Sequence, residues 1–202
     1  AQMPSAVPLL QAPNLSARER VVHAFTTRDG GVSEGDLSTL NLALRANETI
    51  EAVTANWTRV LEVLGLGPGS VALLNQVHGV AVVEVREGRG PTAVVADADA
   101  AFTRVPGVAL AVRVADCVPV LVAGPGIVGV AHAGWRGTAG RIVQRLIAAM
   151  GVAPDTLSAA IGPCISGRVY EVGDEVIAAI RAAGLADHDF LAGPRRVDLQ
   201  RA

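Results

Sequence analysis

The chain has 202 residues, half of them hydrophobic and 18% charged, with a mean hydropathy of +0.40. That is enough for one packed domain, read as residues 1–202, and too apolar for a disordered chain. All 17 basic residues are arginine, against 19 acids, for a formal net charge of −2; without lysine there is no Schiff-base amine and no Gly-Lys phosphate loop, and no basic block marks a nucleic-acid surface.

Met3 reads as the native start. Residues 21–27 predict a strand, and residues 28–42, rich in Gly, Ser and Asp, a long ordered loop. Asn47 reads as the N-cap of a helix whose face carries Ile50, Val53, Trp57, Val60, Leu61 and Leu64, stopped by Gly65. Residues 71–77, 80–85 and 108–114 predict strands. Residues 117–131 are uncharged and apolar, but Gly124-Pro125-Gly126 cuts them into pieces too short to span a bilayer, so they predict a buried hairpin. A helix is expected from Thr138, with Ile142, Val143, Leu146, Ile147 and Met150 as its stripe and Gly151 as its stop. Residues 157–161 predict a strand, and Val172, Val176, Ile177 and Ile180 a last helix ended by Gly184. Strands in the middle with helices between and after them imply an α+β fold with a mixed sheet.

Two glycine motifs carry no chemistry. Gly124, Gly126 and Gly129 match GxGxxG, but β-branched residues follow where a dinucleotide site needs a helix. Gly31, Ser33 and Gly35 match GxSxG, but no strand precedes them and no helix follows.

The hairpin is more informative. If its loop is Gly124-Pro125, Ala123 pairs with Gly126 and Cys117 faces His132, with Cβ atoms about 4.5–5.5 Å apart. A one-residue register slip would put them on opposite faces. A thiol and an imidazole so placed can share a metal, form a nucleophile pair, or simply pack as a buried cysteine beside a structural histidine. His78, at the end of a predicted strand before Gly79, is a third candidate. Two His and one Cys with a vacant position is the ligand set of a catalytic rather than a structural zinc. Arg136, before the helix at Thr138, reads either as an anion anchor at a helix start or as a surface ion pair. Cys164 reads as a packing residue. The two cysteines form no CxxC pair, and no secretory leader opens the sequence, so a cytoplasmic setting is expected.

Seven motifs occur in order: Thr27-Arg28-Asp29-Gly30-Gly31-Val32-Ser33, Asn41-Leu42, Asn75-Gln76-Val77-His78-Gly79, Ala115-Asp116-Cys117, Ala131-His132-Ala133-Gly134-Trp135-Arg136-Gly137, Gly162-Pro163-Cys164-Ile165 and Tyr170-Glu171-Val172-Gly173. With them the chain resembles the YfiH-like laccase-domain family, also named for purine nucleoside phosphorylase activity. The resemblance runs from about Val21 to about Arg201. It implies a layered α/β/β/α domain with one metal centre, held by His78, Cys117 and His132, and a fold similar to a Cys-His toxin deamidase. It also implies phosphorolysis of adenosine, inosine and methylthioadenosine to base and (methylthio)ribose 1-phosphate, and adenosine deamination. An older label for the family is copper-dependent polyphenol oxidase. Members continue beyond a segment like residues 197–201 into a further strand-rich stretch, which this sequence does not contain.

The implied chemistry assigns roles to named residues. A three-ligand zinc leaves one position for water and lowers its pKa to about 7, which suits deamination. Phosphorolysis needs a phosphate held beneath the ribose, for which Arg28 and Arg136 are the candidates. Asp116, beside Cys117, reads either as a residue that orients a ligand or substrate or as a structural one, and Asn41 and Gln76 are the candidates to bond ribose or base. Copper is the alternative metal and a metal-free Cys-His hydrolase the alternative chemistry, although four histidines are too few for multicopper clusters. The expected partners are purine nucleosides and phosphate, with no nucleic acid and no membrane; a homodimer is left open.

Overall fold

In the computed structural model, which describes residues 7–202 and so leaves the Met3 start outside, helix α1 spans Ile50–Val63. Its N-cap is Thr49 rather than Asn47: the Thr49 hydroxyl accepts the Ala52 N–H at 3.1 Å, satisfying one of the free donors of the first turn. The buried face carries Val53, Trp57, Val60 and Leu61, as its spacing predicts, and also Asn56, which has no exposed surface. The Asn56 amide leaves the helix to hold the glycine-rich loop. Its Nδ2 donates to Ser33 Oγ and the Asn41 carbonyl, and its Oδ1 accepts from Val32 N–H, at 2.8–2.9 Å. Trp57 Nε1 adds a bond to the Leu42 carbonyl. At Gly31 a Cβ would lie 2.0 Å from the Thr39 carbonyl oxygen, so this loop closes only over a glycine.

The strands are β1 (Val71–Asn75), β2 (Val82–Glu84), β3 (Val94–Asp97), β4 (Ala100–Thr103), β5 (Ala109–Ala111), β6 (Val118–Gly124) and β7 (Ile127–Ala133). Then come α2 (Trp135–Ala139), α3 (Ile142–Met150), β8 (Ser158–Ile161) and α4 (Asp174–Ala182). Short two-stranded ladders lie near each end of the described chain. The other strands form two main sheets. In one, β1 runs between β3 and β5, parallel to both. The other has the order β8-β6-β7-β4-β2, antiparallel except for the parallel pair β2 and β4.

Alternation along the strands sets the layers. Val71 and Leu73 of β1 pack on Val53, Trp57 and Leu61 of α1, while Ala72 and Leu74 face Ala101 and Val130 of the larger sheet. The opposite face of that sheet, with Val118, Val120, Ile127 and Ala131, packs on Ile142, Leu146 and Met150 of α3 and on Val176, Ile177 and Ile180 of α4. The result is the α/β/β/α order that the resemblance implies. Leu146 and Met150 have no exposed surface and contribute about 2–3 kcal/mol each by burial.

The hairpin corrects one expectation. Its loop is Pro125-Gly126, with Gly124 paired to Ile127, not Gly124-Pro125. Proline fits the first central turn position and Gly126, at φ +68°, the second, the residue order of a type II turn. The register therefore runs two residues further: Pro119, not Cys117, faces His132, and Cys117 lies just before β6. A two-residue slide keeps every side chain on its face, so Cys117 and His132 still share one. The helix expected from Thr138 is also divided. Arg141 is left-handed at φ 59°, and a Cβ on Gly140 would stand 2.3 Å from Val80 Cγ1, so the chain turns sharply there before α3 begins.

Candidate metal centre

Cys117 and His132 fall on the face of the larger sheet that looks toward the smaller one. His78 follows β1, the central strand of that smaller sheet. The three side chains converge at one end of the layer between the sheets, with all their ligand atoms within 4.8 Å of one another. The His78 and His132 rings meet edge to face with centroids 4.8 Å apart. A tetrahedral ion with bonds of about 2.0–2.3 Å needs its ligand atoms about 3.3–3.6 Å apart, a contraction within the reach of side-chain rotation. Two imidazoles and one thiol, with His78 on the exposed side, fit a three-ligand centre open to solvent. Cys117 Sγ lies against Gly134, where a Cβ would be 3.1 Å from the sulfur and 3.3 Å from His78 Cδ2; the glycine keeps the site open.

Two side chains, Gln76 and Asp99, support the three residues between them. Gln76 spans Arg113, its Nε2 donating to the Arg113 carbonyl at 2.7 Å and its Oε1 accepting the Arg113 N–H at 2.8 Å. That bridge ties the turn holding His78 to the segment leading into Cys117. Asp99, which precedes β4 and has no exposed surface, was not anticipated from sequence. Its Oδ1 accepts the His78 N–H at 3.0 Å and lies 2.7 Å from His132 Nδ1, and its Oδ2 accepts the N–H groups of Val77 and Gly79 at 3.2 and 2.7 Å. His78 itself is left-handed, at φ 58°, an unfavourable conformation for a side chain of its size.

Burial pushes the Cys117 thiol up, and the charges of Asp116 and Asp99 push it further. Without an ion the sulfur is thus held as a thiol, the reverse of what a free nucleophile needs. Burial also raises the Tyr170 hydroxyl, as do Cys117 and Asp116, while Arg136 draws it down; these four side chains share one electrostatic neighbourhood. Asp116 is exposed beside the cluster. The Arg136 guanidinium lies 4.3 Å from the centre of the Trp135 ring in a cation–π contact, on a helix of only five residues.

Two other sequence candidates are engaged within their own loop. Arg28 is exposed, its Nε donating to the Ser38 carbonyl at 2.9 Å, so it braces its own loop. The Asn41 amide is engaged with Ala43 and Glu48. Arg28 and Asn41 line a groove of about 920 Å³, which extends to Ala115 and Pro119 on either side of Cys117.

Fold and cluster together define a mixed α/β domain with a candidate mononuclear metal centre. Over residues 22–202 the chain matches the family described as multi-copper polyphenol oxidoreductase laccase, and it belongs to that family. It is 45% identical to a purine nucleoside phosphorylase of Deinococcus radiodurans, over 97% of this chain and 79% of the relative. Among solved structures it is similar to YlmD from Geobacillus stearothermophilus, with TM-score 0.87 and 31% identity over 98% of this chain and 79% of that one. It is also similar to protein NMB0706 of Neisseria meningitidis, with TM-score 0.82 and 37% identity over 97% and 80%.

Proposed function

We propose that this chain is a zinc-dependent purine nucleoside phosphorylase that also deaminates adenosine. The observation that carries the reading is the convergence of His78, Cys117 and His132 from two sheets onto one open point. The name of the Deinococcus relative supports the nucleoside and phosphate substrates. When bound, zinc would supply Lewis acidity at the substrate end of the cluster. The chain's own residues do the rest. Arg28 and Arg136 hold the phosphate dianion by planar two-point contacts that a lysine could not reproduce. The Asp116 carboxylate, exposed beside Cys117, orients the substrate. Gln76 and Asn41, whose amides are engaged within the fold, fix the segments on which these groups sit. A phosphate oxygen attacks the anomeric carbon as the bond to the purine nitrogen breaks, and the purine leaves with the electron pair. No helix among the described residues is long and apolar enough to cross a membrane; with two free cysteines, a cytoplasmic setting fits.

The pairing of Asp99 with His132 favours one other reading, a Cys117-His132-Asp99 thiol hydrolase. The upward push on the thiol argues against it. Metal analysis followed by assays with inosine and adenosine separates the two. The proposal expects phosphate-dependent release of hypoxanthine that a chelator abolishes. Turnover that survives chelation and is stopped by thiol alkylation would establish the hydrolase instead.

A further inference from the structure

We infer that Asp99 is the positioning residue that presets both histidines for a single incoming ion. Its two oxygens receive four donors: one ring nitrogen, from His132, and three successive backbone N–H groups, from Val77, His78 and Gly79. A carboxylate without exposed surface is costly unless its acceptor positions are filled, and here both oxygens are doubly engaged. No oxygen is left to carry a proton without losing a donor, so the group acts purely as an acceptor.

Two consequences follow, one for each histidine. An acceptor-only partner at 2.7 Å requires His132 Nδ1 to carry the proton, which leaves Nε2 as the one ring atom with a lone pair to offer. For His78 the control is through the backbone. Three consecutive N–H groups pointing at one carboxylate hold the left-handed turn at φ 58° and so fix where the ring starts. One side chain thereby aligns two ligands carried by different sheets. Charge points the same way. A divalent cation on one thiolate and two neutral imidazoles carries a net +1, and the buried carboxylate brings the site to neutrality. A neutral amide has one acceptor oxygen in place of two, so it could serve His78 and His132 or Val77 and Gly79 but not both pairs, and it would not bring the charge.

This inference rests on the metal-centre reading and not on the substrate. The first test uses the metal-free wild-type chain, labelled with ¹⁵N and studied at pH 8 by long-range ¹H–¹⁵N correlation of the imidazoles. The chain has four histidines, so single His→Gln variants assign them. The expected result is His132 protonated at Nδ1; protonation at Nε2 overturns the inference. The second test titrates Co²⁺ into wild type and Asp99→Asn. Affinity should fall about ten- to a hundredfold, with a changed visible spectrum. A folded Asp99→Asn that binds Co²⁺ with unchanged affinity and spectrum also overturns it. If that variant fails to fold, the wild-type tautomer alone decides. Loss of the proposed phosphorolysis would leave either outcome standing, so failure of the function and failure of this inference are distinguishable.

Discussion

Two buried polar side chains organise two regions of this molecule, and they do it with different chemistry. Asn56, on α1, holds the loop of residues 28–42 through three hydrogen bonds. Asp99, before β4, holds the turn at His78 and the ring of His132 through four. Both have no exposed surface. Asn56 meets donors and acceptors, and a neutral amide offers both. Asp99 meets donors only, beside three residues that together can take a cation, and a carboxylate suits that setting. A neutral clamp shapes a loop; an anionic clamp also fixes protons and charge at a site.

The largest effect expected from breaking this contrast is at the cluster. Cys117→Ser or His132→Ala should lose the bound metal and at least about a thousandfold in phosphorolysis, roughly 4 kcal/mol of transition-state stabilisation. Elemental analysis and kcat/KM on folded protein check it; retained metal with retained rate would refute the assignment.

Asn56→Ala should do the reverse. It leaves the Val32 N–H, Ser33 hydroxyl and Asn41 carbonyl without their partner and should lower the unfolding free energy by about 2–4 kcal/mol. Metal affinity should not change. Denaturant unfolding and a metal titration test the two halves separately, and a loss of metal affinity would show that the two clamps are coupled.

How much of this was legible from sequence follows from where each signal lies. His78, Cys117 and His132 stand at strand ends inside distinctive motifs, so the three residues that converge were readable as a candidate metal cluster. Asp99 was not: it sits in Ala96-Asp97-Ala98-Asp99-Ala100-Ala101, a run of small and acidic residues that leaves only the pairs Val94-Val95 and Phe102-Thr103 as strand signals on either side, too short to mark β3 and β4. The hairpin register was displaced because either dipeptide, Gly124-Pro125 or Pro125-Gly126, reads as a turn, and only the backbone angles choose between them. The break at Gly140 depends on a tertiary contact with Val80, which periodicity does not encode.

A smaller effect concerns the arginines. Arg28→Ala or Arg136→Ala should reduce phosphorolysis by at least about tenfold, roughly 1.4 kcal/mol, with a lesser effect on deamination. Lysine should rescue only in part. Equal losses in both reactions would make these residues positioning groups for the nucleoside or supports for the fold.

The smallest expected effect is in pH. His23 is buried and its Nε2 accepts the Ala12 N–H at 2.9 Å. Burial lowers its pKa below the ordinary 6.5. The folded chain therefore binds this proton less readily than the unfolded chain. Its contribution to stability is complete above about 6.5 and declines as pH falls toward the folded-state value. Thermal unfolding of wild type and His23→Gln between pH 5 and about 8 should show a shallower acid-side loss in the variant; parallel curves would remove His23 from the account.

The most direct measurement is a stepwise zinc titration of metal-free protein, with bound metal and phosphate-dependent inosine cleavage read in the same samples. Activity should start near zero, rise in proportion to bound zinc, and level off at one ion per chain. Full activity before any zinc is added, or a plateau unrelated to that single ion, would contradict a metal centre built from His78, Cys117 and His132.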